Sequence, residues 1–139
     1  MPVRITIMVM RLCVLVVLIL GIFFWIKGTD VSGGPLVLLH MGLGILVALL
    51  LLILGGLIVT VKGRNIGLAI GAFVLAIGMV ALGLSQQSIL AGSPLHWTIQ
   101  IAHLLLGLLA IGMGEMIAGR YKRLQKEPAA SDETSAEAG

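Results

Sequence analysis

Charged side chains are scarce in this chain: lysine, arginine, aspartate and glutamate together make up 11% of its 139 residues. Hydrophobic residues make up 59%, and the mean hydropathy is +1.16. This composition lies outside the usual range of soluble globular proteins and indicates an integral membrane protein. The net charge of +3 comes from basic residues clustered at helix ends, where it reports membrane topology, so nucleic acid is not indicated as a partner.

Cysteine is nearly absent as well. The one cysteine, Cys13, lies in an apolar run without a partner in the chain, which excludes an intramolecular disulfide framework. We interpret it as a small buried hydrophobe. The sequence also lacks a Ser-His-Asp set, paired carboxylates, a phosphate-binding glycine loop and a cysteine-rich metal motif. A zinc hydrolase would need three convergent protein ligands and is not indicated either.

Four long apolar stretches are present instead, each close to the roughly 20 residues that cross about 30 Å of hydrocarbon. Breaks rich in glycine, proline or charge separate them. The sequence therefore predicts an all-α fold: an integral-membrane four-helix bundle with up-down-up-down topology, forming one domain over 1–126. A polar, disordered tail is predicted over 127–139. The predicted spans are 5–26, 36–61, 66–84 and 96–118.

Positive charge predicts the orientation, because basic residues of short loops are retained on the cytoplasmic side. The loops on the opposite side carry only Lys27 and Asp30. Both termini are thus expected in the cytoplasm, with Trp25 and Trp97 as aromatic anchors at the outer face of a bacterial or archaeal plasma membrane. The basic residues on the predicted inner side are Arg4, Arg11, Lys62, Arg64, Arg120, Lys122, Arg123 and Lys126.

Two histidines lie inside predicted spans, and a glycine follows each of them four residues later: His40 with Gly44, and His103 with Gly107. An ionisable side chain in a membrane is costly and marks a candidate functional site, and imidazole is a common ligand of haem iron. At 1.5 Å per residue, His40 lies about 7.5 Å beyond Pro35 and His103 about 10.5 Å beyond His96. At such matched depths the two imidazoles could ligate one haem b between the second and fourth helices.

The glycines fit this prediction, because residues four apart share one helix face and a missing Cβ admits a flat macrocycle. Gly44 and Gly107 are therefore predicted to line the cofactor. Close helix packing of the small-xxx-small kind explains them about equally well. The alternative for His40 and His103 is a neutral imidazole hydrogen-bonded to a neighbouring helix.

The roles of the other polar residues are predicted from their distance along the chain to His103 and to the ends of the spans. His96 lies two turns before His103 and could meet a haem propionate, a quinone head group or a proton path, although an interfacial anchor beside Trp97 explains it more simply. Gln100 could hydrogen-bond a propionate. Glu115 is expected to pair at the cytoplasmic interface with Arg120 or Lys122, and Arg11 to snorkel toward that interface.

The separation of His40 and His103 by 63 positions (103 − 40), and their place in the second and fourth spans, resemble one half of the haem A synthase family. Cytochrome b561-like proteins are similar in placing paired histidines on neighbouring helices. The resemblance covers about residues 5–123 and implies that His40 and His103 are axial haem ligands. The Glu-x-x-His-Arg pattern of haem A synthases is not kept, because Val37 and Met41 occupy its charged positions.

The sequence thus predicts a b-type haem protein for transmembrane or quinone-linked electron transfer, since two histidine ligands leave iron no open coordination site. A cofactor-free structural subunit of a larger membrane complex is the alternative from another class. A half-length haem A synthase-like enzyme is the third. The predicted partners are the lipid bilayer, a quinone, and either a second copy of the chain or a larger complex.

Overall fold

The computed structural model describes residues 2–27, 34–61, 65–86, 88–89 and 93–137, with side chains from Val3 to Gln125 within these ranges. All secondary structure in these ranges is helical, which confirms the predicted all-α class. Asp30, Lys62 and Arg64, which entered the charge argument, lie outside the described residues. The helices are α1 (Pro2–Lys27), α2 (Pro35–Val59), α3 (Ile66–Ser85) and α4 (His96–Glu137).

All four helices are long and apolar enough to cross a membrane. Large apolar side chains cover much of the exterior, and Ile26, Leu38 and Val74 are each more than 60% exposed. Soluble proteins seldom expose apolar surface on this scale, whereas lipid requires it. The fold is therefore that of a multi-pass membrane protein.

Local sequence explains where the helices begin. Pro35 stands in the first turn of α2, where its missing N–H leaves no backbone hydrogen bond unmade. Asn65 caps α3, and its side-chain oxygen accepts a hydrogen bond from the backbone N–H of Leu68 at 3.2 Å. These caps fall at the breaks that the sequence indicates between the spans.

The four helices form one bundle, in which α2 and α4 each pack against the other three helices. The tightly packed core occupies one end of it. Met10, Leu51, Leu54 and Ile117 are fully buried there. Small residues bring α2 and α3 together at this end, where a Cβ on Gly55 would lie 3.1 Å from that of Ala72. The rest of the buried cluster lies in the first half of α1, the second half of α2 and the middle of α3 and of α4.

An ion pair joins α1 to α4 at the packed end. Arg11 Nε donates to Glu115 Oε1 at 2.5 Å, and Arg11 Nη2 donates to Oε2 at 2.8 Å. The expectation that Glu115 pairs with Arg120 or Lys122 was wrong. Arg120 and Lys122 follow Glu115 on its own helix. The long Arg11 side chain instead reaches across from α1 and forms a bidentate pair with the carboxylate.

Helix α4 is longer than its predicted span of 96–118. It continues to Glu137 and so includes most of the segment for which the sequence predicts a disordered tail. The part of it that is apolar enough for a membrane ends at Gln125. The other predicted spans differ from the observed helices by no more than a few residues at either end.

Candidate cofactor-binding cavity

The imidazoles of His40 and His103 face one another at the end of the bundle opposite the ion pair. Their ring centroids are 6.3 Å apart and their planes are inclined by 48°. His40 lies near the start of α2 and His103 near the start of α4. The structure thus brings together the two histidines that the sequence singles out, at a matched level on two helices.

Each imidazole packs against a glycine of a preceding helix. A Cβ built on Gly21 of α1 would lie 3.5 Å from Cε1 of His40, and one on Gly83 of α3 would lie 2.9 Å from Cε1 of His103. Phe24 adds an edge-to-face contact with His40 at a centroid distance of 5.5 Å. Neighbouring helices therefore restrict how each ring can turn.

Both imidazoles retain a buried polar atom without a partner. Nδ1 of His40 and Nδ1 of His103 have no hydrogen-bond partner within the described part of the chain. Burying such an atom unpaired costs about 1–3 kcal/mol, so it needs an explanation. The alternative of a histidine satisfied by a neighbouring helix accounts at most for the contact of His40 with the backbone of Val17.

A cavity of about 540 Å³ is lined by residues of all four helices, and both imidazoles form part of its wall. Its size is that of a pocket for a cofactor or a drug-sized ligand. Gly44 and Gly107 both line it, and a Cβ on either would meet open space. Neither glycine is therefore explained by close helix packing, since nothing stands within contact distance of the missing side chain.

Polar groups gather at the end of the cavity beside the last residue of α3 and the first residue of α4, and we call this end the opening. His96 at the first residue of α4, Gln100 one turn later and Gln86 just after α3 all line it, together with Trp25. Nδ1 of His96 lies 3.1 Å from the carbonyl oxygen of Ile89. His96 is thus part of the cavity wall as well as a residue near the end of a span.

Sequence reasoning missed Gly21, Gly83 and Phe24, whereas the loop position of Gln86 indicated that it could face the mouth of the site. A signal for the two glycines was present, because they stand 62 positions apart (83 − 21) and the histidines stand 63 apart (103 − 40). Gly21 precedes His40 much as Gly83 precedes His103. The pairs α1–α2 and α3–α4 therefore present equivalent residues to the cavity, which only a comparison of the two halves of the chain would have revealed.

Within the described residues, no group of three or more histidine, cysteine, aspartate or glutamate side chains is placed to hold a metal ion. The imidazole pair is therefore a two-ligand arrangement. The chain matches no protein-family model, no curated protein and no solved structure.

Proposed function

We propose that the chain is a b-type haem-binding membrane protein, with His40 and His103 as axial ligands to one iron held between α2 and α4. The spacing of the imidazoles carries the proposal. A ligating imidazole nitrogen lies about 2 Å from a transition-metal ion. Two such nitrogens on opposite sides of one ion place the ring centroids roughly 6 Å apart, and the observed separation is 6.3 Å.

The number of protein ligands favours haem over a bare metal ion. Structural and catalytic zinc sites use three or four protein side chains. A haem brings four equatorial nitrogens with its macrocycle and needs only axial ligands from the protein. Two imidazoles without a third ligand in the described residues suit that requirement.

The surroundings of the pair fit a flat apolar group. The cavity wall is mainly aliphatic and aromatic, and Gly44 and Gly107 leave open space on the cavity side of α2 and α4. A macrocycle could approach both backbones there. The side-chain amide of Gln100 at the opening could then donate a hydrogen bond to a propionate.

Electron transfer is the chemistry that this site supports best. A bound haem would supply a one-electron redox couple, and two histidine ligands would leave its iron no open position for oxygen or substrate. The chain itself holds the rings, excludes water with apolar side chains and offers polar groups at the opening. Val37 and Met41 line the cavity without providing charge, which disfavours the oxidation chemistry of haem A synthases.

The charge pattern supports an orientation for this bundle. Up-down-up-down topology with both termini in the cytoplasm would place the cavity near the outer face of a plasma membrane. Electrons would then pass between a membrane quinone pool and an acceptor on the outer side. Operation as a homo-oligomer, or as a subunit of a larger complex, is compatible with the apolar exterior.

Haem content of the purified protein tests the proposal. Protein expressed in haem-replete cells should show a Soret band and contain about one haem per chain. His40→Ala and His103→Ala should each lower the haem content severely, whereas His96→Asn should leave it unchanged as a control for a nearby imidazole. Colourless wild-type protein would instead favour the cofactor-free structural subunit.

A further inference from the structure

The opening of the cavity is a place distinct from the imidazole pair. His96 stands seven residues before His103 on α4, which is about 10.5 Å along a helix axis. Gln86 follows the last residue of α3 and lines the same cavity. The two side chains come from different elements and bound the outer part of one cavity.

The hydrogen bond of His96 fixes which of its nitrogens is left to bind a ligand. Nδ1 lies 3.1 Å from the carbonyl oxygen of Ile89, and a carbonyl oxygen can only accept. Nδ1 therefore carries the proton in this contact, and Nε2 of the neutral ring is an acceptor. Within the described part of the chain Nε2 has no hydrogen bond of its own.

Gln86 provides a second unpaired acceptor. Its Oε1 is buried and has no hydrogen-bond partner among the described residues. A carboxamide can turn to present either its oxygen or its NH₂ group, so Gln86 adapts to its ligand. The neutral His96 ring cannot adapt in this way, because the Ile89 carbonyl holds its proton on Nδ1.

We propose that the cavity opening binds a quinol, whose hydroxyl groups donate to Nε2 of His96 and Oε1 of Gln86. The choice of ligand rests on the proposed function, which requires an electron donor dissolved in the membrane. A quinol head has two hydroxyl donors on an apolar ring with an apolar tail, and the cavity wall is mainly apolar. The contacts with the chain do not involve iron.

The opening should distinguish the two redox forms. A quinone has carbonyl oxygens where the quinol has hydroxyl groups, so it has nothing to donate to Nε2 of His96. An unmade hydrogen bond of this kind costs about 1–1.5 kcal/mol, which corresponds to roughly a tenfold difference in Kd. The opening is thus expected to hold the reduced form and release the oxidised one.

Titration calorimetry of the protein in nanodiscs, under argon, tests this with a short-chain ubiquinol and the corresponding quinone. The quinol should bind about tenfold more tightly. His96→Asn retains an N–H that can reach the Ile89 carbonyl but lacks an acceptor at the Nε2 position, so it should lose the preference. His96→Gln places a carboxamide oxygen near that position and should keep the preference in part.

Equal or tighter binding of the quinone would overturn the inference, as would an unchanged preference in a folded His96→Asn variant. If that variant does not fold, Gln86→Leu serves instead and should weaken quinol binding several-fold. The double variant His40→Ala/His103→Ala separates this inference from the proposed function. It should bind no haem yet retain the preference for quinol, because His96 and Gln86 are unaltered.

Discussion

The Cε1 edge of the His103 ring lies directly against Gly83. A Cβ at position 83 would stand 2.9 Å from Cε1, closer than real Cβ atoms approach. The corresponding distance between Gly21 and His40 is 3.5 Å, an ordinary van der Waals contact. Each histidine thus packs against a glycine of the preceding helix, but only the contact between Gly83 and His103 leaves no room for a methyl group.

Gly83→Ala should displace the His103 ring and lower haem occupancy. Overpacking of this kind costs about 1–3 kcal/mol, which corresponds to a loss of affinity of roughly five- to 150-fold if the strain falls on the bound geometry. Haem titration of apoprotein measures it. Gly78→Ala on the same helix meets nothing within 4 Å and should leave affinity unchanged, and Gly21→Ala should have little effect. Equal behaviour of all three variants would show that the Gly83 contact does not position the ring.

Filling the cavity should separate stability from cofactor binding. Gly44→Leu places a side chain in space that is open in the structure, and cavity filling commonly stabilises a protein by about 0.5–2 kcal/mol. The haem-free variant should thus melt at a higher temperature while binding little haem. Thermal unfolding and haem titration report the two effects.

Gly42→Leu is the matched control for this experiment. Gly42 lies on the same helix, also has open space beside it, but is exposed and does not line the cavity. The Gly42→Leu variant should bind haem with wild-type affinity. If Gly44→Leu also binds haem with wild-type affinity, the macrocycle does not pass over Gly44.

The ion pair between Arg11 and Glu115 should matter chiefly when one partner is removed. Glu115→Leu or Arg11→Leu alone leaves a charge without its partner near apolar surroundings, so each should lower the melting temperature in detergent. Removing both charges in Arg11→Leu/Glu115→Leu should restore most of the loss, because an apolar pair has no charge to desolvate. A double variant as unstable as the sum of the single ones would mean that the pair makes no specific contribution.

Sequence predicted the parts of this molecule that depend on local physics. Apolar length, and the breaks rich in glycine, proline or charge, predict α1 to α4 without tertiary information. The matched depths of His40 and His103 also follow from helix rise alone. Haem ligation, by contrast, stays a prediction, since it rests on chemistry beyond the fold.

What the sequence could not provide were contacts between helices that depend on rotation about each helix axis. Gly83 against His103 is such a contact, and so is Arg11 with Glu115, 104 positions away. The spacing along a helix gives the depth of a residue in the membrane. It does not show which neighbouring helix the side chain points toward when most of the helix circumference is apolar. Gly44 and Gly107 were open to two explanations for that reason, and the space beside them favours a ligand.

Low-temperature electron paramagnetic resonance of the oxidised protein tests most directly whether two imidazoles ligate one iron. Ligation of one iron by two imidazoles predicts a low-spin ferric signal in the wild type. Either single variant, His40→Ala or His103→Ala, should give a high-spin signal in whatever haem it retains, because one axial position is then vacant. A high-spin wild type, a low-spin signal unaffected by both substitutions, or no haem iron signal from protein made in haem-replete cells would contradict it.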